Sequence, residues 1–216
     1  MTLRPRLSLL LLLLAAPLAQ AANETYRLDP VHTRVMFAIE HAGFSQALGT
    51  ISGSKGVLAF DPDDWAAARL DVEIPIAQLD LGDAAWNKAT LARNLLDGAR
   101  FPSAHFVSSH VQAHDVHHAT VTEQLTLRGV TREVALEVTL NALKRHPLPP
   151  FRRTAGFSAT TTLSRSAFGL TSWPSVIGDA VQVRIEAEAT LDRTAVPGTP
   201  DADAHSDTPT ATKDPA

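Results

Sequence analysis

The feature that most constrains this chain is a one-by-one alternation of apolar and polar side chains along much of its length. In residues 70–76, Leu70, Val72, Ile74 and Ile76 alternate with Asp71, Glu73 and Pro75. Val134, Leu136, Val138 and Leu140 alternate with Glu133, Ala135, Glu137 and Thr139. Val181, Val183, Ile185, Ala187, Ala189 and Leu191 do so with Gln182, Arg184, Glu186, Glu188 and Thr190. Residues 155–163 place Ala155, Phe157, Ala159, Thr161 and Leu163 on one face. Successive side chains of a strand point to opposite faces, so this period marks strands with one buried and one wet face. Residues 33–41, 48–60, 104–113 and 119–128 bring the set to about eight strands. The stretch 48–60 is weakened by Gly49, Gly53 and Gly56, since interior glycine marks a bulge, a bend or a close approach.

One segment breaks the period. Residues 83–96 are rich in helix formers, with Asp83 placed to cap the start and Gly98 beyond the end. Strands therefore do not alternate with helices, and the pattern predicts an all-β antiparallel fold, a closed barrel or a sandwich. Small residues on inner faces (Gly49, Gly53, Ala155, Ala159, Ala187 and Ala189) favour the barrel, because they leave room that larger side chains would fill.

The two ends of the chain are of another kind. Arg4 and Arg6 precede an apolar run, and Ala19-Gln20-Ala21 supplies a small-x-small cleavage pattern. Residues 1–21 thus read as a secretory signal peptide, too short in its apolar part to span a bilayer, and the mature protein is expected in the periplasm. Residues 196–216 hold four prolines and four aspartates and no aromatic residue, an acidic tail with too little apolar surface to offset its ordering entropy. The folded domain is expected over residues 22–195, where all 8 Phe, all 3 Trp and the one Tyr lie.

Composition removes several functions. With no cysteine there is no disulfide framework, no thiolate metal site and no cysteine nucleophile. A formal net charge of −4 argues against a nucleic-acid partner. No Gly-x-Ser-x-Gly elbow and no phosphate-binding glycine loop occurs, so no catalytic residue is assigned. His105, His110, His114, His117 and His118 form the densest cluster of chemically able side chains. Imidazoles bind zinc, copper and nickel, so a metal-binding hairpin over residues 105–118, centred on His114, His117 and His118, is the alternative function. A solvated hairpin tip explains the same residues. In strand 104–113, His105 and His110 are expected on opposite faces. Arg165, among Phe168 and Trp173, reads either as a polar contact at a barrel end or as an ion-pair partner of Asp179.

Six pieces in order resemble the YceI-like family of secreted, lipocalin-like proteins. Tyr26-Arg27-Leu28-Asp29-Pro30-Val31-His32-Thr33 resembles its opening, and Phe37, His41-Ala42-Gly43 and Gly49 continue the likeness. Arg100-Phe101-Pro102 before His105-Phe106-Val107-Ser108-Ser109, and Leu125-Thr126-Leu127-Arg128-Gly129-Val130-Thr131, follow in order. Arg165 with Phe168-Gly169-Leu170, then Gly178-Asp179-Ala180-Val181, complete the set. The likeness runs from Tyr26 to Leu191. It departs at the helix, where many members carry Arg-Asp-x-His-Leu and this chain has Asn87-Lys88-Ala89-Thr90-Leu91, and at Glu123, where glycine is common.

The resemblance implies an eight-stranded antiparallel barrel with one short helix and an elongated apolar cavity. It also implies a long isoprenoid, such as a quinone or polyprenyl tail, or a similar fatty amphiphile as ligand. No other cofactor is implied, and the role is that of a carrier or reservoir. On this reading Val35, Phe37, Ile39, Leu70, Val72, Ile74, Phe157, Val183 and Ile185 line the cavity. Trp86, Phe168 and Trp173 sit near its ends, and Arg165 makes the polar contact. A transient membrane contact and a homodimer are left open.

Overall fold

The computed structural model describes residues 23–195. The signal peptide and the acidic tail expected from the sequence lie outside the described residues. The strands are β1 (Glu24–Leu28), β2 (Arg34–His41), β3 (Ser45–Ser52), β4 (Lys55–Phe60), β5 (Arg69–Pro75), β6 (Leu79–Asp80), β7 (Ser103–Ala113), β8 (His118–Leu127), β9 (Val130–Arg145), β10 (Arg153–Ser164) and β11 (Ile177–Leu191). One helix, α1 (Ala84–Thr90), joins β6 to β7 by way of a long turn.

These eleven segments close into an antiparallel barrel of eight strands. The ring runs β1-β4-β5-β7-β8-β9-β10-β11, and β11 returns to β1 through Tyr26 opposite Leu191. β2, β3 and β6 extend the same wall, because β1 and β2 pair with successive parts of β11, and β3 and β4 follow one another on the next rail. The expected long strand over residues 48–60 is thus two segments. The break falls at Gly53, whose φ of +76° lies in the left-handed region that glycine enters without penalty. Closure gives each strand of the ring a neighbour on either side, and the sheet's remaining edge lies at β3 and β6, which pair only at Thr50 and Ile51.

The β8–β9 connection is two residues long. Arg128 and Gly129 occupy its two central positions with φ of +52° and +75°, the geometry of a type I′ hairpin turn. The helix is shorter than expected. Asp83 caps it by accepting from the Trp86 N–H at 2.9 Å, but it ends at Thr90 instead of continuing to Leu96. There the backbone tightens into turns, with Leu95 N–H bonding the Ala92 carbonyl and Leu96 N–H the Thr90 carbonyl, and Asp97 takes a positive φ of 51°.

β7 contains a bulge between Ser108 and His110, where Ser108 faces Glu123 and His110 faces Thr122 on β8. An extra residue shifts the side-chain phase by one. Ala104, Phe106 and Val111 are buried, and His105 and His110 share the outer face, not opposite faces as strict alternation requires. Two clusters make up the buried core. One gathers Leu28, Ile51, Val72, Ile76, Phe106, Leu125, Leu136 and Phe168. The other gathers Tyr26, Leu58, Phe60, Trp65, Val111, Val121, Leu140 and Ala155.

Candidate functional site: a two-chambered apolar tube

The barrel interior is not filled. A larger chamber of about 480 Å³ occupies the end bearing α1. A smaller one of about 140 Å³ lies deeper. Val35, Ile74, Phe106, Leu136 and Ile185, one each from β2, β5, β7, β9 and β11, line both and form a waist between them. The alternation explains why the walls are apolar: each strand sends every second side chain inward, and those positions are almost all aliphatic or aromatic.

The larger chamber opens where aromatic residues reach solvent. Trp86 on α1, and Trp173 and Val176 before β11, line it while remaining 44%, 50% and 39% exposed. His41 stacks at a tilt against Trp86, ring centres 5.4 Å apart, across the same mouth. The Ala42 N–H bonds the Val176 carbonyl at 2.6 Å and ties the β2–β3 turn to the loop before β11. Ala42 and Trp173 both hold positive φ, 53° and 52°. For a side chain as large as tryptophan that conformation is an outlier, tolerated where the surroundings hold it. Phe44, at the tip of the β2–β3 turn, is 91% exposed. Asn87, in the helix segment that departs from the family pattern, holds α1 to β6 by accepting from the Leu81 N–H at 2.7 Å and donating to Asp80 at 3.1 Å.

The opposite end is closed. Phe60 packs edge-on against Trp65 and Phe157 at 5.1 and 5.5 Å, and Tyr26, Phe60 and Trp65 are buried. Burial, together with its hydrogen bond to Glu24, raises the Tyr26 hydroxyl well above the ordinary tyrosine range.

Each residue expected at the cavity can be placed. Phe37, Ile39, Trp86, Arg165, Phe168, Trp173 and Val183 line the outer chamber. Leu70, Val72 and Phe157 line the deep one, and Val35, Ile74 and Ile185 belong to the waist. Ala159, Ala187 and Ala189, singled out for their small size, line the deep chamber. Gly49 has a different job. A Cβ there would come within 2.3 Å of the Phe37 ring, so its smallness seats Phe37 and does not enlarge the cavity.

Arg165 is only 7% exposed. Its Nε donates to the Gly178 carbonyl at 2.8 Å, Nη1 to those of Leu170 and Ser172, and Nη2 to that of Ile177 at 2.7 Å. The guanidinium thus binds the loop that frames the mouth. Asp179 accepts from the Ser164 hydroxyl at 2.6 Å and the Ser166 N–H at 2.9 Å, and these bonds hold its carboxyl below the usual range.

The residue that sequence reasoning left unplaced is Glu123. It is fully buried on β8, on the inward face with Val121 and Leu125, and lines the deep chamber. Neither carboxylate oxygen has a hydrogen-bond partner. Burial alone pushes its pKa up to about 8, so the group is largely protonated at neutral pH. A signal was present: on the face made by Ala119, Val121, Leu125 and Leu127, Glu123 is the one polar residue.

The histidine hairpin does not assemble a site. His114 Nε2 lies 2.7 Å from the Thr120 hydroxyl, and His118 Nδ1 lies 2.9 Å from Asp115. Among the described residues no three His, Asp or Glu side chains are grouped as ligands for one metal ion.

Comparison with known proteins agrees with this architecture. The YceI-like domain model matches residues 26–189. A UPF0312 protein of Pseudomonas savastanoi pv. phaseolicola is 35% identical over 158 residues, covering 73% of this chain and 81% of that protein. A UPF0312 protein of Pseudomonas putida is 32% identical over 176 residues, 82% of this chain and 90% of the other. Among solved structures, Burkholderia cenocepacia BcnA superposes with a TM-score of 0.68 at 24% identity, covering 76% of this chain and 99% of BcnA. A polyisoprenoid-binding domain from Saccharophagus degradans, implicated in plant cell wall breakdown, gives a TM-score of 0.59 at 14% identity, covering 77% and 98%. The closed barrel, its single short helix and the matched span together make this chain a member of the YceI-like family.

Proposed function

We propose that this protein is a lipid-binding carrier or reservoir, not an enzyme, which holds a long isoprenoid or similar amphiphilic chain inside the barrel. The observation that carries the reading is the apolar tube itself: two adjoining chambers with a shared waist, open at an aromatic rim and closed at the other end. Each buried methylene contributes roughly 0.8 kcal/mol, so one five-carbon isoprene unit is worth about 3–4 kcal/mol at most. A few units outweigh the several kcal/mol that association costs. The polyisoprenoid-binding domain with the same fold supports the choice of ligand class. The leader-like N-terminus supports a site of action in the periplasm. Exposed Phe44, Trp86 and Trp173 around the mouth suit a transient contact with a membrane from which the chain is drawn.

Native mass spectrometry of gently purified protein tests the proposal. The expected spectrum shows the chain with a lipid adduct that organic extraction removes and added polyprenol restores. Protein that emerges lipid-free and takes up no polyprenol rules the reading out.

A further inference from the structure

The surface of the deep chamber is apolar, yet polar groups that the binding of a plain hydrocarbon does not use are buried in the residues that make its wall. Glu123 is 0% exposed with both oxygens unpartnered. Ser54 Oγ and Trp65 Nε1 are also buried without a partner, and both residues line the same chamber. Leaving such a group unsatisfied costs about 1–3 kcal/mol each, and native proteins rarely carry several together without a ligand, an ion or water to meet them.

Resting on the lipid-binding reading above, we propose that the deep chamber receives the inner end of the ligand, that this end bears an uncharged hydroxyl, and that Glu123 is its hydrogen-bonding partner. The chemistry selects this class. A protonated carboxyl offers one donor and one acceptor, as a hydroxyl does, so the two satisfy each other. Ser54 offers the same pair, and Trp65 adds a donor. An ionised ligand end, ammonium or carboxylate, would carry a charge stripped of its hydration into apolar walls. Arg69, which borders the chamber, is itself exposed and supplies no counter-charge inside it. The Arg69 guanidinium is held by the Ala66 and Ala68 carbonyls at 3.1 and 2.6 Å. Engaging the ligand takes a rotation of the Glu123 carboxyl out of the chamber wall about its side-chain torsions.

The orientation is the reverse of a lipid whose head stays at the mouth. It also gives the barrel a selectivity that apolar walls alone lack, because a site that pairs with a hydroxyl disfavours the analogue without one.

Displacement of a fluorescent long-chain probe from delipidated protein, by cetyl alcohol, hexadecane and palmitate, tests this at neutral pH. The wild-type chain is expected to bind the alcohol roughly tenfold more tightly than the alkane, and more tightly than the acid. Glu123→Gln, which keeps a donor and an acceptor, retains the preference. Glu123→Leu abolishes it while binding hexadecane at least as well. Equal binding of alcohol and alkane by the wild type, or a preference that survives in Glu123→Leu, overturns the proposal and leaves the lipid-binding reading standing. Failure of all three chains to displace the probe overturns both.

Discussion

Among the described residues, one acid and one base are buried in this barrel, and they are treated in opposite ways. Arg165, at the mouth, spends its guanidinium on four main-chain carbonyls. Glu123, in the deep chamber, has no partner for either oxygen. The first arrangement is structural: the charge is solvated by the chain, and the loop carrying Trp173 is held in place. The second leaves an unmet demand within apolar walls, and the residue adapts by keeping its proton. A buried guanidinium met by carbonyls stabilises the fold, whereas a buried carboxyl with no partner carries an uncompensated desolvation cost.

Substitutions at three positions probe that contrast. The largest effect is expected from Arg165→Leu, which strands the carbonyls of Leu170, Ser172, Ile177 and Gly178 in a partly buried loop. Chemical denaturation should show a loss of about 3 kcal/mol or more. Arg165→Lys should recover little of it, since an ammonium lacks the planar fork that reaches several acceptors at once. A neutral outcome for Arg165→Leu would erase the distinction between the two residues.

Glu123 should behave in the opposite sense. Its folded pKa is raised from 4.5 to about 8, so the folded state holds a proton that the unfolded chain has lost. Stability is then fully present below about pH 4.5 and declines as pH rises to about 8, by at most about 1.4 kcal/mol per unit. His32, whose pKa is raised from 6.5 by its hydrogen bond to Asp29, adds a decline of the same sign above about pH 6.5, so the part due to Glu123 is the difference between the wild type and Glu123→Gln. Denaturation curves across this window should flatten in Glu123→Gln. At the alkaline end Glu123→Leu should be more stable than the wild type by about 1–3 kcal/mol. A wild-type profile without the decline would show that water or an ion already serves the carboxyl.

The sharpest effect on ligand length belongs to Ala159→Leu. Ala159 lines only the deep chamber. Filling that 140 Å³ space should change stability by no more than about 1–3 kcal/mol. It should also shorten the longest chain retained in native mass spectra, with the outer chamber unaffected. An unchanged chain-length distribution would mean that ligands stop at the waist.

Much of the wall was legible beforehand because a strand's period is a local property. The inward positions of β5, β9, β10 and β11 follow from alternation alone, and the thirteen residues expected at the cavity all line it. What escaped the reading depends on breaks in that period. The β7 bulge, which puts His105 and His110 on one face, has no signature in residue type. The early end of α1 at Thr90 is set by turns that pack Leu91 and Leu96 onto the core. Glu123 was visible as a lone polar residue on an apolar face, yet alternation cannot say whether such a residue faces a partner, water or nothing.

The amino-acid sequence by itself determined that the chain makes antiparallel strands with one apolar side, because side-chain direction in an extended backbone obliges every second residue to share a face. It also determined the family, through motifs in a characteristic order. Only the tertiary structure decided where the ring closes, that the interior stays divided into two chambers, and which buried charge is satisfied. Those outcomes depend on contacts between residues far apart in the chain. The Arg165 carbonyls come from a loop that must fold back to meet it, and Glu123 is left unpaired by what β7 and β9 place beside it.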